Sequence, residues 1–161
     1  MSLETWEMLS YMVTVIGLPL AICVFLYEQR KERENEEEEV YQLLSDNYQD
    51  FLKIALENPD LRLFSPGETP DLTEQQTERM VIIFTMLISL FERAYLLLYE
   101  ESMSDKQLRR WRSWEDYMRE WCRRSDFRMR LPMLLRGEDP EFVACIQDLA
   151  ASELAESGQT M

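Results

Sequence analysis

MLSYMVTVIGLPLAICVFLY, residues 8–27, runs for 20 positions without an Asp, Glu, Lys, Arg or His, and EQRKERENEEEE, residues 28–39, follows it at once. At 1.5 Å of rise per residue, a helix of that length covers about 30 Å, the thickness of a bilayer's hydrocarbon core. The stretch reads as a transmembrane helix, with the lipid bilayer as its first partner. A cleaved secretory signal would carry a positive leader and a small-residue cleavage site. Here Glu4 and Glu7 lead, and Arg30, Lys31 and Arg33 come afterwards. Trp6, Tyr11 and Tyr27 lie where amphipathic rings favour the headgroup layer, and the basic residues beyond Tyr27 orient the chain by the positive-inside bias. The expectation is a single-pass protein of the inner (plasma) membrane, amino terminus outside and the carboxy-terminal domain cytoplasmic.

The 134 residues after Tyr27 suffice for one compact domain. The expected organisation is an amino-terminal segment and span over 1–27, an acidic neck over 28–39, a helical domain over 40–155 and a flexible tail over 156–161. Cys23, Cys122 and Cys145 form no close pair and no metal-ligand spacing, which suits a reducing compartment. The net charge of −14 is unevenly placed: Glu28 to Asp60 carries eleven acidic residues against four basic, and Ser104 to Arg136 carries ten basic against five acidic.

The domain reads as all-α, a small helical bundle. There are only four glycines, and no window alternates apolar and polar residues between hairpin turns. Val40, Leu44, Tyr48, Phe51 and Ala55 lay one stripe along a helix, which stops at Asn58-Pro59 because the residue before proline is pushed out of the α region. NPDLRLFSPGETPDL, residues 58–72, is a loop, and Leu61, Leu63 and Phe64 suggest that part of it packs down on the domain. Thr73 with Gln76 and Ser104 with Gln107 are capping boxes that open two further helices. Asp139-Pro140 offers an N-cap and a proline at the first helical position before EFVACIQDLAASELA, residues 141–155.

MVIIFTMLISLFERAYLLLY, residues 80–99, is apolar nearly all round and is buried either in protein or in lipid. In lipid, Glu92 and Arg93 near its centre would each cost about 2.5–3.5 kcal/mol on insertion scales. The central helix of a bundle is the better reading, with this pair exposed or paired.

SDKQLRRWRSWEDYMREWCRRSDFRMRLP, residues 104–132, interleaves Trp111, Trp114 and Trp121 with Arg109, Arg110, Arg112, Arg119, Arg123 and Arg124. Such a mixture can stack bases and bind phosphates. Tryptophans at helical spacing more often face a core, with arginines covering the rim and pairing the neck, and the overall acidity argues against nucleic acid. A protein partner or anionic lipid is the alternative occupant of this basic face. Pro132 should end the segment.

No histidine is present, which removes Ser-His and Cys-His nucleophiles and histidine metal sites. Phosphate-loop, dinucleotide and nucleophile-elbow patterns are absent too. The expectation is a non-enzyme with no cofactor and no metal.

The span offers a sharper hypothesis. Ser10, Thr14, Gly17, Ala21 and Val24 recur at 4-3-4-3 spacing, a seam of small or weakly polar residues of the kind that lets helices associate in lipid. A homo-oligomer follows. In a tight bundle the seam is glue. In a wider ring the hydroxyls face water, and Glu28, Glu32, Glu36, Glu37, Glu38 and Glu39 form a cation-attracting vestibule.

The amino-terminal span, VYQLLSDNYQDFLKIALENPDLRLF (residues 40–64), FERAYLLLY (91–99) and WRSWEDYM (111–118) together resemble a family of small bacterial membrane proteins of unknown function. These are packing motifs, and the resemblance implies no reaction. The layout is also similar to small membrane-anchored helical proteins that accompany antiviral nuclease systems and assemble as pores. The Arg-x4-His nuclease motif of related helical domains is absent. The resemblance implies a membrane-anchored protein acting through assembly or partner binding, with a defence-associated pore as the alternative.

Overall fold

The computed structural model describes residues 3–65 and 67–159; for residues 3–5, 7–10, 12–14, 16 and 157–159 it describes the backbone alone. Among these residues the chain is all-α, without strands: α1 (Leu3–Glu57), α2 (Glu74–Leu98), α3 (Asp105–Cys122), α4 (Ser125–Leu134) and α5 (Pro140–Gln159). It divides into two units, residues 1–40 and 41–161.

The first unit is helix throughout its described length. Glu, Gln, Lys and Arg in the neck are good helix formers, so nothing there halts α1. Pro19 lies inside the helix and withdraws the bond to the Val15 carbonyl. α1 ends where Pro59 forbids continuation. The Asn58 side chain donates to the Ile54 carbonyl at 2.8 Å, and Arg62, at φ 48°, closes a 3-10 turn over Pro59–Leu61.

In the second unit α2 is central. Met80, Ile83, Phe84, Leu87, Ile88, Phe91 and Ala94 are buried, and α3, α4 and α5 all pack against it. Among the residues described with their side chains, α2 is also the one helix long and apolar enough to cross a membrane. Trp114, Trp121, Phe127 and Phe142 fill the interior. Their rings meet edge-on, Trp121 on Phe51 at 5.5 Å and Phe84 on Phe127 at 5.1 Å, arrangements worth about 0.5–1.5 kcal/mol each beyond burial. Both capping boxes are formed. The Asp139 carboxylate accepts from the amides of Glu141 and Phe142 at 2.9 and 3.1 Å.

One detail differs from the sequence reading. Pro132 sits inside α4 and does not end the segment; the break comes earlier, at Arg123-Arg124, where Arg124 turns extended (ψ 124°). The Arg128 guanidinium caps the end of α3 by donating to the carbonyls of Cys122 and Arg123 at 2.5 and 2.8 Å. Part of the 58–72 loop packs down, as its apolar residues suggest: Leu61 and Leu63 are buried, and Phe64 is 59% exposed. At the carboxy terminus α5 runs through Gln159.

Candidate docking groove

The second unit carries a two-lobed groove. One lobe, of about 570 Å³, is walled by Tyr41, Tyr48, Trp114 and Tyr117. The other, of about 500 Å³, is walled by Leu63, Trp121, Arg123 and Glu153. Phe64 and Glu120 line both, so they stand on the divide. Tyr48 stacks on Tyr117 at 4.4 Å, Trp114 meets Tyr48 edge-on at 5.8 Å, and Phe64 meets Trp121 edge-on at 5.2 Å. Trp121 Nε1 is buried without an acceptor in bonding geometry, although its polarity reaches the Tyr48 hydroxyl.

The loop around Phe64 is tied down by a buried arginine. The Arg124 guanidinium donates to the carbonyls of Arg62, Leu63 and Ser65 at 3.1, 3.0 and 2.9 Å and to Thr69 Oγ1 at 3.1 Å. It also forks onto Asp126 at 3.0 and 2.6 Å. Arg124 and Asp126 are each 4% exposed. Bonds to a buried charge, each worth about 1.5–3 kcal/mol, thus fix the backbone on both sides of residue 64. The Thr69 hydroxyl completes the tie through the Leu61 carbonyl at 2.7 Å.

Carboxylates rim the second lobe. Glu153 is buried, with Arg123 Nε at 3.0 Å and Arg119 Nη1 at 3.7 Å, and Arg123 also donates to Glu120 at 2.8 Å. Arg119 holds Glu115 at 2.7 Å.

The residues singled out from sequence are distributed as follows. Trp111, Trp114 and Trp121 are buried. Arg109 and Arg112 are exposed on α3, and Arg110 lies 5.0 Å over the Tyr41 ring. Arg124 leaves the basic face altogether because its partners draw it inside, and Arg119 and Arg123 find carboxylates within the bundle. Gly17 is half-buried, and Ala21 and Val24 are exposed. Ser10 and Thr14 are helical, with side chains outside the described residues. Glu28, Glu32, Glu36, Glu38 and Glu39 are exposed and Glu37 is half-buried.

Sequence reasoning missed three cations and one acid. Arg128, Arg130 and Arg136 belong to RMRLPMLLR, residues 128–136, which holds no acidic residue. A run without a carboxylate was visible, but its helical face was not. Glu153 looked like one more solvated glutamate. Among the described residues no group of three or more His, Cys, Asp or Glu is placed to hold a metal ion. Compared with known families, characterised proteins and solved structures, the chain matches none.

Proposed function

We propose that this is a membrane-anchored, non-enzymatic protein whose helical domain, at the cytoplasmic face, acts through self-assembly or partner binding. Met8–Tyr27 is the span in this reading, and α2 is the bundle's core helix. The observation that carries it is the exposure of the apolar side chains described in the first unit. Leu18, Leu20, Ile22, Val24, Phe25 and Leu26 are 49–62% exposed in a continuous run. Removing such a side chain from water stabilises by about 1.5–3 kcal/mol, so a lipid or protein cover for this run is strongly favoured. The groove supports the partner-binding half: an exposed aromatic ring lining both lobes is surface suited to contact.

A pore is the second reading. The uninterrupted α1 continues the register of the seam from Val24 to Glu28, four residues on, so a ring of spans would carry its small-residue face directly into the acidic neck. The test begins with carbonate-washed membranes and protease access to a carboxy-terminal tag. Retention with a protected tag in right-side-out vesicles is expected; a soluble full-length chain overturns the anchor. Native mass spectrometry in nanodiscs then reads the copy number. A ring of five or more with cation conductance that falls in Glu28→Gln favours the pore, and a non-conducting oligomer favours the scaffold.

A further inference from the structure

The exposed face of α4 is cationic and apolar at once. At about 100° of turn per residue, Met129, Pro132 and Met133 share one side of the helix. The methionines are 65% and 46% exposed, and Pro132 is exposed with them. Arg128 and Arg130 flank that side, and Arg136 is exposed just beyond it. Arg128 and Arg130 donate through Nη1 alone, to the carbonyls of Cys122, Arg123 and Asp126, so Nε and Nη2 of each are left for an outside acceptor. Residues 127–137 hold no acid. The two acids that bracket them are engaged elsewhere: Asp126 is buried in the fork of Arg124, and Glu138 shares a hydrogen bond with Glu92. Among the described residues, none of the three arginines pairs with a carboxylate.

We infer that this ridge is a second lipid contact, seated on anionic headgroups of the bilayer that holds the span. The inference rests on the membrane-anchored reading above and deepens it by naming the lipid class and the residues that meet it. Charge complementarity picks the occupant. Three cations without internal counter-charges suit lipid phosphates and carboxylates, and on a chain of net charge −14 they mark the face that an anionic leaflet attracts rather than repels. The apolar centre picks a bilayer over a nucleic acid, because a phosphate backbone would leave Met129 and Met133 uncovered. An apolar strip flanked by arginines is the pattern of helices that lie in a membrane interface, where the strip enters the headgroup boundary and the arginine stems snorkel around it. The ridge lines neither lobe of the groove, so it offers a surface rather than a cleft, which fits a flat leaflet.

The test uses the full-length protein in nanodiscs of phosphatidylcholine, with and without phosphatidylserine, treated with dilute peroxide. Sulfoxide formation is mapped by peptide mass. Met129 and Met133 should oxidise about fivefold more slowly over phosphatidylserine, the protection expected of a few basic residues held at an anionic surface. Met86, 44% exposed on α2, should oxidise equally in both lipids. About 0.5 M salt should abolish the difference. Arg130→Gln with Arg136→Gln should abolish it too, and Arg130→Lys with Arg136→Lys should keep it; an unchanged thermal midpoint checks that each variant folds. A chain that does not enter nanodiscs overturns the anchor and the contact together. An inserted chain whose Met129 and Met133 oxidise equally fast in both lipids overturns the contact alone. Equal and slow oxidation in both lipids also overturns it, assigning the ridge to a protein partner, as does protection that persists in the glutamine variant.

Discussion

Arg124 shows how far a residue's role can lie from its sequence neighbourhood. It sits among arginines, and spacing alone groups it with the basic face. Its acceptors Arg62, Leu63 and Ser65 lie about sixty positions away, and no local pattern announces them. Replacing it with Met strands the Asp126 carboxylate and three carbonyls inside the protein, a loss of about 3–5 kcal/mol by the measure of a broken buried pair. Urea denaturation reads that loss. Arg124→Lys should recover only part of it, because an ammonium cannot make the fork and reach the loop together. Cys122 offers a companion probe. Burial, with Glu153 adding to it, pushes its thiol up to about 12. Cys122 should resist thiol reagents in the native state and react at the rate of global unfolding. Rapid native modification at Cys122, mapped by peptide mass, would contradict the packing.

At the scale of elements, α1, α2, α3 and α5 were legible because each carries its own local signal: a capping box before α2 and α3, Asp-Pro before α5, Asn-Pro after α1. Substituting Thr73 with Ala should cost about 1 kcal/mol. The α3–α4 break was not legible, since it depends on Arg128 capping one helix and Arg124 reaching a distant loop. Nor was the turn before α5, where Glu92 of α2 accepts from the Asp139 amide at 2.6 Å. Glu138 shares a hydrogen bond with that carboxylate, and with partial burial and the like charge this pushes its carboxyl up from 4.5 to about 7. In this window the folded chain holds a proton that the unfolded chain has released. The contribution to stability is full below pH 4.5, declines as pH rises towards 7 and is flat above. Thermal midpoints across that range should show the decline in wild type and lose it in Glu138→Gln, whose amide can donate at every pH. An identical pH profile in the variant would remove Glu138 from the account.

For the whole molecule, the all-α class follows from composition: few glycines, no alternation and long apolar periodicities leave a helical bundle as the way to bury the aromatic side chains. What composition could not supply is the groove, because its lobes are made by α1, the 58–72 loop, α3 and α5 together. The division at residue 40 has its own physical meaning. Among the described residues, the buried apolar side chains begin at Leu44 and end at Ala150. In the apolar run of the first unit, none of the described side chains is buried. A chain starting at Val40 should therefore be soluble, retain its helical far-ultraviolet spectrum and unfold cooperatively. Its thermal midpoint should fall within about 5 °C of the full-length protein in neutral detergent, since a loss of about 1 kcal/mol shifts a domain of this size by no more than that. A fragment that is helical but melts without cooperativity would mean that the span or its assembly organises the bundle. The groove would then be a product of the oligomer rather than a surface each copy brings to it.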